Sequence, residues 1–450
     1  MAFFDTILNN LPEVSKPTQK RLSFNEKLKW TGVILMAFFV LGLIPLFPLG
    51  QNQLEQFEIL AIILGASFGS IISLGIGPLV TSSIVLQLLN GAGIVKFDLN
   101  SHEGKKRFQG VQKMLSILFI LFEALIYVFM GGLAPPEIYI GTSLYFQLEL
   151  LLVVELFLGG VLIMFMDEIV SKWGFGSGIS LFIAAGVSQQ IFIRALNFLP
   201  SPTNPEMPAG AIPALFVSLS NGDPVTAVLM FSGVVATILV FLMSVYSQAM
   251  KIEIPLSFGR IRGYGMRWPL NFLYTSNIPV ILTAALLANL QLWSNLFSSG
   301  GAQSFQAWIS PPNLMERVLT SSLTSFDLLR GSVYALIMIV GSMIFSWFWM
   351  QTAGMDAKSQ AKNIMASGLQ IPGFRKDIRI LERLLDRYIK PLTIMGGIAI
   401  GFLAAIANLT GALGNGTGIL LTVMIIYQLY ESIAKEHMAD MNPALRKFMV

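Results

Sequence analysis

Residues 57–93, FEILAIILGASFGSIISLGIGPLVTSSIVLQLLNGAG, are apolar enough for a membrane yet broken in the middle. A helix needs about 20 apolar residues to cross a bilayer. Neither the first run, 57–68, nor the second, from about Pro78 to Leu89, is that long. Between them lie Gly65, Gly69, Gly75, Gly77 and Pro78, which favour turns over continuous helix. Irregular backbone at membrane depth is tolerated only where protein buries it or water reaches it. The stretch therefore implies a cavity or pore inside a membrane protein.

The rest of the chain fits that setting. Apolar residues make up 54% and charged residues 12%, against about 25% charged in a soluble domain. There is no cysteine, so disulfides, iron–sulfur ligation and thiolate zinc sites are excluded. His102 and His437 both fall in charged connecting segments and match no familiar metal-ligand spacing. No cofactor is expected.

Ten spanning segments can be read, at about 31–48, 57–90, 111–133, 147–167, 178–199, 225–246, 269–290, 331–352, 391–410 and 415–433. Gln189, Gln190 and Arg194 interrupt the fifth. Lys and Arg test the count. Of 29 in the chain, all but Arg194, Arg317 and Arg330 fall in the N-terminal arm, in alternate connections or in the tail. Strict alternation is what the positive-inside rule predicts for an even number of spans, with both termini cytoplasmic. Residues 1–29 lack the apolar core of a signal peptide. Phe3, Phe4, Ile7, Leu8 and Leu11 have helical spacing instead, as in a short helix lying on a membrane surface.

Five spans per half force the second half to enter from the opposite side, the topology of an inverted repeat. The expected divisions are an arm at 1–30, a first half at 31–205, a second half at 206–435 and a tail at 436–450. Two acids lie inside spans, Glu123 in the third and Glu155 in the fourth. Each is costly there and needs a reason: an ion or proton relay, a polar contact at a moving helix interface, or a protonated or hydrogen-bonded acid that ties helices together. The run GFGSG at 174–178 has no preceding strand, so it reads as a turn at a membrane boundary, not a phosphate loop. Asn408 and Asn415 begin N-x-[ST] patterns next to the membrane, where glycosylation carries little weight. The connections 247–268 and 353–390 are long, polar and basic. They read as projecting cytoplasmic loops suited to an anionic partner such as nucleic acid or lipid headgroups.

Five stretches then carry a resemblance: GSIISLGIGPLVTSSIVLQLL at 69–89, GSGISLFIAAGVSQQIF at 176–192, YTSNIPVILTAALLANLQLW at 274–293, IPGFR at 371–375 and GTGILLTVMIIYQLYE at 416–431. In this order they resemble the SecY family, the channel-forming subunit of the protein translocase, in its archaeal and eukaryotic branch. The resemblance implies an all-α polytopic membrane protein, with ten transmembrane helices in two inverted halves and a short re-entrant plug. It also implies a channel that passes unfolded secretory polypeptides and releases transmembrane segments sideways into lipid, without enzymatic activity of its own.

By the same resemblance, 57–68 is the plug, including Phe57, Ile59, Leu60, Ile62, Ile63 and Leu64. The pore ring falls on Ile76, Val80, Ile179, Ile183, Ile281 and Ile419 or Leu420. Thr81, Glu123 and Asn289 match the side gate, and Arg260, Arg262 and Arg375 the partner-docking loops. Gly65, Gly69, Gly75 and Gly77 read as a hinge between plug and ring. Implied partners are small single-span subunits of the SecE-type gamma and beta kinds, the translating ribosome with its RNA, nascent polypeptides and the lipid bilayer. The implied location is the cell membrane or, alternatively, the endoplasmic reticulum. Elementary physics agrees with an aliphatic ring, which excludes water and ions when narrow and imposes no fixed hydrogen-bond pattern on a passing chain.

The rival reading is a secondary transporter, which also uses inverted repeats and broken helices. It calls for polar groups converging on a midplane substrate, whereas the proposed centre here is aliphatic. An intramembrane enzyme would need a nucleophile–base or metal constellation, and none is legible.

Overall fold

Apolar runs of helical length, opened by Ser, Thr, Asp or Asn caps, make this chain a helical bundle. The computed structural model describes residues 11–19, 22–54, 64–91, 94–95, 97, 101–201, 206–258, 265–296, 300–366, 369–370, 377–413 and 416–441. Its helices in chain order are α1 (Phe24–Leu43), α2 (Gly77–Gly91), α3 (His102–Phe129), α4 (Ser143–Trp173), α5 (Gly178–Leu196), α6 (Ala211–Asn221) and α7 (Pro224–Ala249). They continue with α8 (Ile278–Leu296), α9 (Gly300–Ile309), α10 (Leu314–Leu319), α11 (Ser325–Thr352), α12 (Ala357–Ala366), α13 (Ile378–Leu409) and α14 (Gly416–Met441).

Local chemistry sets the helix starts. Ser23 and Glu26 close a capping box on α1, and Thr324 and Asp327 close one on α11. Asp223 caps α7 just before Pro224, where a missing N–H costs nothing. Each of the ten expected spans corresponds to one helix: α1–α5, α7, α8, α11, α13 and α14. Among the described residues, seven helices are long and apolar enough to cross a membrane by themselves. The exceptions have plain causes. α1 carries Glu26, Lys27 and Lys29 in its first two turns, and α2 and the apolar part of α8 are short. At 1.5 Å per residue α2 is about 22 Å long, so it spans only together with the irregular chain that precedes it.

Several boundaries differ from the sequence reading. The first span ends at Leu43, and the chain beyond it leaves the helix to bridge Pro45 to Ser70. Residues 269–271 belong to a strand, and the seventh helix begins only at Ile278. The ninth helix starts at Ile378, well before 391, and runs through Pro391 without stopping.

The described parts of the two long basic connections are structured. β3 (Lys251–Phe258) pairs antiparallel with β4 (Gly265–Asn271) and with β5 (Leu369–Gln370). A second core beside this sheet joins Ile254, Leu270 and Tyr274 to Ala361 of α12 and Leu381, Leu385 and Ile389 of α13. The Tyr274 hydroxyl donates to the Met355 carbonyl at 2.7 Å. A two-residue ribbon, β1 (Gln51–Asn52) with β2 (Leu133–Ala134), lies at the other end of the first half.

The main core is one continuous apolar cluster running from Ile34 of α1 to Ile425 of α14. α13 packs most closely on α11, where small residues allow it: a Cβ at Gly401 would lie 2.7 Å from the Met338 carbonyl oxygen. The outer faces are apolar and exposed, most of all on α7, with Phe231, Ile238, Leu239 and Tyr246. Such a surface suits hydrocarbon.

Candidate channel constriction and gate

The broken segment turns back on itself directly beneath the start of α2. The Ile76 N–H donates to the Leu64 carbonyl at 2.6 Å, closing a loop over residues 64–76. Inside it the Gly69 N–H donates to Ser73 Oγ at 2.9 Å, and the Ser70 hydroxyl donates to the Ser67 carbonyl at 2.7 Å. These bonds satisfy backbone that no helix serves. Gly75 sits at φ +55°, and a Cβ there would lie 2.2 Å from the Leu64 carbonyl oxygen. Only glycine permits both the left-handed turn and this approach. Gly65 also has positive φ, +53°, with its open side against Phe182 of α5 and Ile76.

Ile76, Val80, Ile183, Ile281, Ile419 and Leu420 are buried and belong to the same apolar cluster; Ile179 is half-buried and packs against it. Five separate stretches of chain, the loop before α2 and helices α2, α5, α8 and α14, thus contribute aliphatic side chains to one core. Leu64 is fully buried and joins them. The other residues expected for the plug, Phe57, Ile59, Leu60, Ile62 and Ile63, lie outside the described residues.

Thr81, Glu123 and Asn289 come together across α2, α3 and α8, and all three are buried. Asn289 Nδ2 donates to Thr81 Oγ1 at 2.7 Å. The Thr81 hydroxyl has a single proton and two acceptors in reach, the Gly77 carbonyl at 2.8 Å and Glu123 Oε1 at 3.3 Å. The geometry favours Gly77. Glu123 Oε2 and Asn289 Oδ1 make no hydrogen bond, and both lie near the vacant side of Gly77. This polar knot is therefore incompletely satisfied, which makes it cheap to disrupt relative to the apolar core around it.

Sequence reading did not anticipate the bonds that organise either side of this seam. Ser82 and Ser116 share a hydrogen bond at 2.7 Å, and Gln112 donates to Ser83 at 2.6 Å, so α2 is laced to α3. On the far side Thr275 and Ser346 share a bond at 2.6 Å, and Ser346 donates to the Thr393 carbonyl at 2.9 Å. Phe122 of α3 meets Trp293 of α8 edge-on at 6.3 Å. Serines spaced at random in apolar runs give no signal of these pairings before the helices are assembled.

Other candidate residues resolve individually. Glu155 accepts from the Phe47 N–H at 2.9 Å, a bond that fits the helix-tying reading. GFGSG forms the turn between α4 and α5. Asn408 donates to Tyr334 and Thr417, at 2.5 and 2.7 Å, and accepts from the Thr417 N–H. Its amide is thus committed inside the fold. Arg260, Arg262 and Arg375 lie outside the described residues, as do residues 1–10 of the surface helix expected at the N-terminus. Among the described residues no group of acids or histidines could hold a metal ion.

Comparison with known proteins places this architecture. The SecY family model matches residues 70–430. The chain is 45% identical to the protein translocase subunit SecY of Methanothermobacter thermautotrophicus, over 99% of this chain and 98% of the relative. It superposes with a TM-score of 0.81 and 40% identity on a SecY structure whose plug domain is described as stabilising the closed state of the translocation channel. That match covers 97% of this chain and 98% of the other. A third similar structure is Sec61 in the canine ribosome–channel complex from the endoplasmic reticulum, with a TM-score of 0.79 and 39% identity over 97% of this chain and 98% of that one.

Proposed function

The chain belongs to the SecY family, and from that premise we propose how its parts divide the work of a protein-conducting channel. It is an integral, multi-pass membrane protein whose activity is passage of polypeptide, not catalysis. In this reading Ile76, Val80, Ile179, Ile183, Ile281 and Ile419 or Leu420 form the constriction. Segment 57–68 is the plug beneath it, and Gly65, Gly69, Gly75 and Gly77 are the hinge. The observation that supports it is the hydrogen bond from the Ile76 N–H to the Leu64 carbonyl, which joins a residue of the segment assigned as plug to one assigned to the ring. An aliphatic collar closed by an apolar stopper excludes water and ions while offering no preference to a passing sequence.

The side exit lies between α2–α3 and α8, held by Thr81, Glu123 and Asn289. Serine, threonine and glutamine bonds bind α2 to α3 and the chain just before α8 to α11, so the seam between α2 and α8 is where the bundle opens. An arriving apolar helix replaces Asn289–Thr81 at little cost, because that knot is only partly satisfied. The halves 31–205 and 206–435 act as the two inverted units, flanked by the arm 1–30 and the tail 436–450.

Arg260, Arg262 and Arg375 belong to a docking face for an anionic partner. In the described parts of the same two connections, β3, β4 and α12 are supported by their own apolar core. The similar Sec61 structure is a ribosome–channel complex, and its likeness supports the ribosome as that partner. SecE-type gamma and beta subunits are assigned to the exposed apolar faces. Both termini are cytoplasmic, from the alternation of Lys and Arg, and the membrane is the cell membrane.

The direct test is reconstitution of the chain with its small subunits in lipid vesicles, with protease protection of a secretory precursor as the readout. Time-dependent protection that requires this chain supports the reading. Equal protection in vesicles without it overturns the reading.

A further inference from the structure

The first turn of α5 carries Ile179, yet its N-cap residue, Ser177, makes no capping bond to the turn. The N–H groups of a first helical turn have no partner within their own helix. Here the partner comes from another helix. Asp167, in the last turns of α4, accepts from the Ile179 N–H at 3.0 Å and also from the Gly178 N–H and Ser177. A Cβ at Gly178 would lie 2.6 Å from Asp167 Cα, so glycine is what lets α5 start this close to α4.

The next residue serves other partners. Glu168 accepts from the Val14 N–H at 2.9 Å and pairs with Lys113 and Lys172. Lys172 also pairs with Glu13 at 2.6 Å and donates to the Val14 carbonyl at 2.7 Å. Trp173 Nε1 donates to the Ser15 carbonyl at 2.9 Å. Glu168 thus holds the N-terminal arm and α3, while among the described residues Asp167 holds the start of α5. The two adjacent acids divide the end of α4 between them.

We propose that Asp167 is a positioning residue for the constriction: by capping α5 from outside that helix, it sets the depth and rotation at which Ile179 and Ile183 enter the ring. The proposal rests on the assignment of those two isoleucines to the ring. Loss of the cap lets the first turn of α5 unwind, and Ile179, at that turn's second residue, moves first. Ile183, one turn further in and fully buried, follows only if the helix rotates.

The test measures closed-state ionic leak through the complete complex in planar bilayers, with thermal midpoints recorded in parallel. Asp167→Ala is expected to raise the leak several-fold. Asp167→Asn, which keeps an acceptor oxygen, restores the seal. Glu168→Gln loosens the arm and lowers the midpoint without raising the leak. Should Asp167→Ala fail to assemble, Gly178→Ala displaces the same turn while keeping the carboxyl, and must leak. Leak from Ile179→Ala but not from Asp167→Ala or Gly178→Ala overturns the positioning role and leaves the ring intact. Leak from none of the three removes α5 from the ring, and the proposal falls with it.

Discussion

Asn289 on α8 donates a 2.7 Å hydrogen bond to Thr81 on α2, joining residues 208 positions apart across the contact between these two helices. Both are buried, so losing either leaves the other without its partner in an apolar setting. Asn289→Leu and Thr81→Val are each expected to lower the stability of the closed form by about 1–2 kcal/mol. The double substitution should cost less than the two together, because one bond is lost only once. Denaturation midpoints of all four forms in lipid-supplemented detergent measure this coupling. Strictly additive costs would mean that the contact is not made.

Gly75 tests the loop over residues 64–76. Gly75→Ala forces a Cβ to within 2.2 Å of the Leu64 carbonyl oxygen at φ +55°. Gly131 has a similarly positive φ, +76°, with nothing within 4 Å of its Cβ position. Both substitutions carry a backbone cost of about 1–3 kcal/mol, but only the first also displaces a neighbour. Gly75→Ala should therefore lower the thermal midpoint clearly more than Gly131→Ala and raise ionic leak. Equal effects would argue against the tight turn.

Glu13 gives the arm a pH dependence. Its hydrogen bond to Lys172 holds the Glu13 carboxyl below the ordinary carboxylate range. A depressed carboxyl stabilises docking at pH above its undocked value, and that contribution disappears as acid protonates the docked form. Hydrogen exchange at residues 13–15 should thus accelerate as pH falls through the acidic range, after correction for intrinsic rates. In Glu13→Gln this acid-induced loosening should shrink. An unchanged pH profile in the variant would mean that another group controls the arm.

Glu155 separates a channel from a transporter. With its oxygen on the Phe47 N–H, the side chain ties α4 to the turn after α1. Glu155→Gln retains an acceptor and should translocate precursor normally at every pH tested. Glu155→Ala should lower the thermal midpoint, with a cost of about 1–3 kcal/mol for the orphaned N–H. A shifted pH dependence of translocation in Glu155→Gln would point to an ion relay instead.

The span order was legible because apolar length and the placement of Lys and Arg are properties of the chain alone. The Thr81, Glu123 and Asn289 cluster was legible only through family resemblance, since nothing local says that Asn289 meets Thr81. The hairpin at 251–271 was missed for a physical reason. KIEIPLSF alternates apolar and polar residues, a strand pattern, but the pattern is short and its proline and charges fit a projecting loop equally well. The continuation of α13 through Pro391 was missed because proline usually ends a helix. Here Asp377 caps the helix start, and Leu381, Leu385 and Ile389 bury a continuous face ahead of the proline. Asp167 carried no sequence signal, because capping from another helix depends on where α4 and α5 are brought together.

The proposed constriction sets the aliphatic residues around Ile76 along the path of a passing polypeptide. Single cysteines at Ile76 and Ile281, and a control at the exposed Phe231 of α7, can be tested against a secretory chain stalled in transit and carrying a thiol-reactive probe. Cross-links at Ile76 and Ile281 with none at Phe231 are the expected result. A stalled chain that misses both isoleucines, or reaches Phe231 equally well, would contradict the account.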